Sequence, residues 1–431
     1  MLIRPTFILP VLLLCVCMSC QNKTVEVNSV PGSSDWLGTK EQAGSESSIP
    51  IMAWWSIPQS FTSEERFQEL KDAGFTISMS PYDGFEEAEK ALNVAQKAGI
   101  KISLNCPSLL FSDPEGLANR FKDHPALESY HIYDEPNNNE QLFIDLGILA
   151  SRIRSVDKNH WCYVNLLPGG KTNSVGGLSY LTYLRWYEKY IKPEIISFDN
   201  YPVRVSRTTG EIEIRKNWFD NLQTILEFSD SVNKPFWAFA MSVGHEIESI
   251  TYPEPEIGHL RLQVFTNLVY GARGIQYFTY WTPKTDNENM ITGNEYYFTG
   301  PVLPEGQKSL VYERVKKVNQ EIKNLSPVFA NSTVEWIRHL GIEDQNTVTL
   351  LTNELTDTPI QKIEHEGGLI VALHKNVDIN YLLIVNYELI DNRIKIVTSN
   401  QIQRILKSGA VIDAEQEVVV LPGDIVIYTW E

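Results

Sequence analysis

Cysteine is scarce in this chain, with five in 431 residues and three of them inside the first 20. The two that remain, Cys106 and Cys162, are too few for a disulfide scaffold or a thiolate zinc site, although one bridge between them is open. Long apolar runs are missing too. The one sustained run, from Phe7 to Met18, falls short of the about 20 residues a spanning helix needs. Positive charge is in deficit, 37 Lys and Arg against 54 Asp and Glu, a net charge of −17. That is the wrong sign for binding along phosphates, so nucleic acid is excluded as a partner, and neutral or cationic partners are favoured. What is plentiful is aromatic: 10 Trp, 19 Tyr and 17 Phe. Such rings suit sugars, and they suit cores equally well.

Arg4 followed by the short apolar run has the anatomy of an export signal. The run closes on Cys17-Met18-Ser19-Cys20, which resembles the lipobox of bacterial lipoproteins, with Cys20 as the lipidated residue and Cys17 where that family prefers Leu. An ordinary secretory signal is the alternative. Residues 21–48 are polar and aperiodic and read as a tether. The resemblance places the mature chain in the cell envelope, anchored by lipid to the outer membrane.

From residue 50 onward, short apolar runs alternate with longer amphipathic ones. The runs begin near Pro50, Gly74, Lys101, Glu128, Trp161, Glu194, Pro235 and Arg273, and each interval, 24 to 41 residues, holds one strand, one helix and two loops. Thr62-Ser63-Glu64-Glu65 and Asp113-Pro114-Glu115 are helix starts within them. Eight such units predict an α/β fold, a (β/α)8 TIM barrel over 49–328. A doubly wound sheet would need a Gly-rich phosphate turn after the first run, which instead ends Trp54-Trp55-Ser56-Ile57-Pro58. A last helix, from about Gln307 to Leu325, is expected to stop at Ser326-Pro327. Over 332–431 the strand-like runs predict a small antiparallel β-sandwich, an accessory domain.

In such a barrel the active site is built at the C-terminal strand ends. By strand these are Trp55, Asp83, Asn105, Asp134 with Glu135, Asn165, Asp199 with Tyr201, Ser242 and Trp281. No His cluster with ligand spacing is among them, which argues against a metal hydrolase. Carboxylates and aromatics fit cleavage of glycosidic bonds, one carboxylic acid protonating the leaving oxygen while a second carboxylate attacks carbon or activates water, with no cofactor. Trp55, Asp83, Asn105, Asp134, Asn165, Tyr201 and Trp281 are the candidate substrate contacts. Trp54, Tyr82 and Trp237 are further rings for which packing is the commoner fate.

The motif Tyr133-Asp134-Glu135-Pro136-Asn137 resembles the Asn-Glu-Pro or Asp-Glu-Pro signature of the TIM-barrel clan of glycoside hydrolases. The eighth run, Tyr270 to Trp281, is similar to the last strand of those enzymes. The resemblance spans roughly 50–325. It implies Glu135 as general acid/base, Asp134 as a sugar contact, Trp281 as a sugar platform, and an oligo- or polysaccharide as substrate. A solvated turn opening a helix at Pro136 is the plain alternative for Asp134-Glu135. Retaining members of the clan carry their nucleophilic Glu at the end of the seventh strand, where this chain has Ser242. The second carboxylate therefore stays open between Asp199, at a strand end, and Glu246, four residues past Ser242. The same departure keeps a second reading in view, an inactive surface lipoprotein that only binds glycan. A lyase or transglycosidase is a third.

Overall fold

The computed structural model describes residues 48–170, 173–247, 250–284, 295–342, 355 and 357–431. The export signal, Cys20 and nearly all of the tether lie outside the described residues.

Eight parallel strands close into a barrel. They are β1 (Ile51–Trp54), β2 (Ile77–Ser78), β3 (Lys101–Leu104), β4 (Leu127–Asp134), β5 (Trp161–Leu166), β6 (Ile196–Phe198), β7 (Phe236–Met241) and β8 (Gly274–Phe278). Closure comes from β1, which pairs with β2 and β8, Trp54 lying opposite Phe278. Each strand is short and nearly all of its residues are buried, because alternate side chains fill the barrel and meet the helices. The predicted caps form: Ser63 accepts from the Arg66 amide and Asp113 from the Gly116 amide at 3.0 Å. Each satisfies an amide that has no partner within its helix.

The barrel interior is aromatic. Met52, Trp54, Trp161, Tyr163, Trp237 and Phe239 form one buried cluster, with Trp55, Tyr201 and Phe278 half-buried at its upper rim. Trp237 fits because Gly274 lies beside it across the β7–β8 pair, and a Cβ at Gly274 would come within 2.4 Å of the indole. Any larger residue at Gly274 would displace that ring. Tyr82 packs instead in the helix–barrel core. Both Cys106 and Cys162 are buried free thiols, each pushed up to about 12 by burial.

The last barrel helix, Leu310–Ala330, runs three residues past Pro327. Proline removes one intrahelical bond, and near a helix end that loss is small. Strands β9 (Thr333–Leu340), β10 (Ile360–His365), β11 (Leu369–Asn376), β12 (Ile379–Asn386), β13 (Asn392–Thr398), β14 (Gln403–Ile405), β15 (Val411–Asp413), β16 (Glu417–Val420) and β17 (Ile425–Trp430) follow. They form two antiparallel sheets, in the orders β9-β11-β12-β17-β14-β15 and β10-β13-β16. The runs in β11 and β12 are continuously apolar because both faces of the larger sheet are covered. Leu382 and Ile384 enter the sandwich core, whereas Leu383 and Val385 join the core of the barrel helices. Between the two halves, Arg261 makes a bidentate pair with Glu321 at 2.9 and 2.5 Å and lies 3.5 Å from Asp424.

Loops after β6, β7 and β8 add an unexpected element. Segments Ile212–Ile214, Val203–Val205, Ile250–Tyr252, His245–Ile247 and Glu295–Tyr297 pair in that order into a five-stranded sheet. All three loops leave C-terminal strand ends, so the sheet stands at the mouth of the barrel.

Candidate active site

β4 ends at Asp134, and Glu135 follows with a φ of 47°. A left-handed backbone at a residue other than glycine costs about 1–3 kcal/mol and persists only when its surroundings hold it. Two bonds do so here. The Glu135 amide donates to the Asn165 carbonyl at 2.9 Å, and the buried Tyr183 hydroxyl donates to the Pro136 carbonyl at 2.6 Å. The next helix begins only at Glu140, capped by Asn139, so Asp134 and Glu135 do not open a helix.

This backbone turn places two adjacent carboxyls at the mouth, and β6 supplies a third. Asp199 follows Phe198, and its carboxyl comes close enough to that of Glu135 for each to shift the other's protonation. Asn165, at the end of β5, donates through Nδ2 to Asp134 Oδ1 and to Asp199 Oδ1, both at 3.2 Å. The amide's orientation is set from below. Ser197 Oγ donates to Asn165 Oδ1 at 3.0 Å and accepts from Gln276 Nε2 at 3.0 Å, while Tyr163 donates to Gln276 Oε1. With its oxygen occupied by that hydroxyl, Asn165 presents its donors to the carboxylates.

Three carboxyls held this close cannot all be ionised cheaply. Burial is the largest influence on each. It raises Asp134 to about 7, with the neighbouring Glu135 charge adding to the rise. Asp199 stands well above the usual carboxylate range, through burial and then the charges of Glu135 and Asp134. Glu135 is raised by burial too, against the opposing hydrogen bond from Asp199, and the charge of Glu295 raises it further. By surface accessibility Asp134 and Glu135 are exposed at the mouth and Asp199 is half-buried. Such a cleft desolvates a carboxyl yet leaves it accessible to a ligand.

Tyr201 completes the group. Its half-buried ring lies 5.9 Å from Phe278 and 6.0 Å from Tyr252, and burial first, then the charges of Asp199, Glu135 and Asp134, raise its hydroxyl well above the ordinary range. His131 lies deeper, edge-on to Trp54 at 4.9 Å, and burial lowers it to about 3, so it is neutral.

Glu135, Asp134, Asn165, Asp199 and Tyr201 are thus brought together, with Trp55 on the rim of the same aromatic cluster. The other strand-end residues are elsewhere. Asp83 is exposed and bonded to Gln59. Asn105 directs its amide to Met79 Sδ at 3.8 Å. Trp281 is 3% exposed, its ring 4.7 Å from Phe61 and its indole N–H on the Pro304 carbonyl, in the helix–barrel core. Glu246 is paired across the five-stranded sheet with Thr251 and Tyr296. Ser242 is buried and donates to the Thr279 carbonyl at 2.8 Å. Phe278, Tyr297 and Glu295 were missed by the strand-end reading, which places Trp281 where Phe278 meets the site. The only available signal was the aromatic run Tyr296-Tyr297-Phe298, far from any strand end. Among the described residues, no group of three or more His, Cys, Asp or Glu is arranged to hold a metal ion.

Residues 150–325 match the protein-family model Glyco_hydro_42, described as Beta-galactosidase. No curated protein matches the chain in sequence. Similar solved structures include a catalytic mutant of Gan42B, a GH42 β-galactosidase from G. stearothermophilus, at 9% identity and TM-score 0.60 over 91% of this chain and 99% of that one. A β-galactosidase from Bacillus circulans sp. alkalophilus aligns at 10% identity and TM-score 0.60 over 90% of this chain and 99% of that one. A third, from the psychrophilic Marinomonas ef1, aligns at 12% identity and TM-score 0.48; the chain spans 60% of its length, using 65% of its own. At such identities the likeness to the first two shows the fold. The closed parallel barrel and the match over residues 150–325 make this chain a TIM barrel similar to the glycoside hydrolases of that family.

Proposed function

We propose that the chain hydrolyses an O-glycosidic bond in an oligo- or polysaccharide at the bacterial cell envelope, with Glu135 as the general acid. The observation that carries this reading is the convergence of three carboxyls at the mouth, with Asn165 donating to Asp134 and Asp199 at 3.2 Å and the turn at Glu135 setting its carboxyl beside them. Two carboxyls this close keep one proton at a pH where an isolated Glu has lost it. Glu135 gives that proton to the glycosidic oxygen as the bond to the anomeric carbon breaks, and water restores it as its hydroxyl joins that carbon. Asp199 acts as the partner that shares the proton. Opposed catalytic carboxyls stand at least about 5 Å apart, wider than a hydrogen bond, so Asp199 is beside Glu135 rather than across the sugar from it. Asp134 and Asn165 are placed to contact sugar hydroxyls, and Tyr201 and Trp55 to offer ring faces.

The family match makes a β-galactoside the first substrate to try. Wild-type protein assayed on a panel of aryl β-glycosides and natural glycans tests the reading, and release from at least one of them is expected. Ser242, buried where the clan carries its seventh-strand Glu, favours one rival, a barrel that binds glycan without cleaving it. Measurable affinity with no release anywhere would select that rival.

A further inference from the structure

Resting on the glycosidase reading, one role remains unfilled. Ser242 has no charge, and Asp199 is committed to Glu135, so neither opposes the acid across a bound sugar. The five-stranded sheet supplies another carboxylate. Its register pairs His245 with both Tyr252 and Tyr297, and Ile247 with both Ile250 and Glu295. Because side chains alternate across a strand, these six share one face, and Glu246, Thr251 and Tyr296 share the other.

The first face meets the site. Tyr252 lies 6.0 Å from Tyr201, Tyr297 lies 6.4 Å from Phe278 and His245 lies 5.8 Å from Phe278. The second faces solvent, with Tyr296 56% exposed. Glu246 is therefore turned away and Glu295 toward the carboxyl cleft. Tyr297 donates its hydroxyl to Glu295 Oε2 at 2.6 Å, and its own ring stacks on His245 at 5.2 Å. The stacked ring fixes the direction of the phenol donor and so the place of the Glu295 carboxyl. The charge of Glu295 is felt at both Glu135 and His245.

We propose that Glu295 is the second catalytic carboxylate, the ionised group facing the positive charge that develops on the sugar ring as Glu135 protonates the leaving oxygen. The electron pair of the broken bond departs with that oxygen, and water supplies the hydroxyl and the proton that complete the reaction. Glu295 thus reaches the site from the loop after β8, rather than from the end of β7.

Glu295→Gln tests this, since the amide still accepts from Tyr297 and the unfolding midpoint reports whether the fold is kept. On a dinitrophenyl glycoside, whose leaving group needs no acid, Glu295→Gln is expected to lose on the order of 100-fold in kcat. Azide added to Glu295→Ala is expected to recover part of the rate, which a merely structural role would not allow. Wild-type-like rates in Glu295→Gln, or loss of the dinitrophenyl activity in Asp199→Asn alone, would overturn the assignment and leave the glycosidase reading standing. A wild type inactive on every glycoside would overturn both.

Discussion

The carboxyls of Glu135 and Asp199 lie close enough to shift each other's protonation, although the two follow different barrel strands 64 positions apart in sequence (199 − 135). Each depends on its own strand for its place. Glu135 is held by a left-handed turn after β4, and Asp199 follows β6 directly, with Asn165 of β5 between them. In the proposed reaction, one proton shared across that contact is what the acid delivers.

The raised pKa of Asp134 has a stability consequence. A carboxyl whose pKa is raised by folding binds more protons folded than unfolded, so its contribution to stability falls as pH rises from the unfolded value toward the folded one. For Asp134 that window runs from about 4 to about 7. Asp134→Asn is expected to raise the unfolding midpoint relative to wild type at pH 8, with the difference shrinking toward pH 4. Thermal melts across that range check it. A difference that instead grew as the pH fell would contradict the stated direction.

Ser197 orients the amide that serves two carboxylates. Ser197→Ala leaves the Asn165 oxygen and the Gln276 amide short of a partner inside the barrel, a cost of about 1–3 kcal/mol. Urea unfolding reads the loss. A lower kcat with KM little changed is expected alongside it, since Asn165 could then rotate away from Asp134 and Asp199.

Arg261, Glu321 and Asp424 tie the barrel helices to the C-terminal sheets inside a buried interface. Arg261→Ala strands two acids there and is expected to cost about 3–5 kcal/mol in denaturant unfolding. Arg261→Lys should recover only part of that, because an ammonium cannot reproduce the bidentate fork. Full recovery by Lys would show that the charge alone matters.

Cys20 lies outside the described residues, and its lipidation is testable independently. Full-length protein is expected to partition into detergent and to take up labelled fatty acid, whereas Cys20→Ser should do neither. Equal partitioning of the two would refute the anchor.

Much of the architecture was legible because it follows from burial. Strands covered on both faces read as short apolar runs, and eight of them at one-helix spacing leave little but a closed barrel. The place of Glu135 followed from the same logic. The sheet at the mouth left no such mark: its five strands have three residues each, and only three of the fifteen are buried. Glu295 was hidden for that reason. Trp281 misled because its indole packs on Phe61 in the helix–barrel core rather than at the mouth. Hydrophobicity cannot distinguish a ring at the mouth from one three residues on in the core.

The account rests most heavily on Glu135 as the acid, and leaving-group dependence examines that directly. Rates of wild type and Glu135→Gln should be compared on aryl glycosides graded from dinitrophenyl to unsubstituted phenyl. The account predicts a nearly flat series for wild type and a steep fall for Glu135→Gln as the leaving group weakens, reaching about 100-fold or more on the poorest. Parallel series for the two proteins would contradict it.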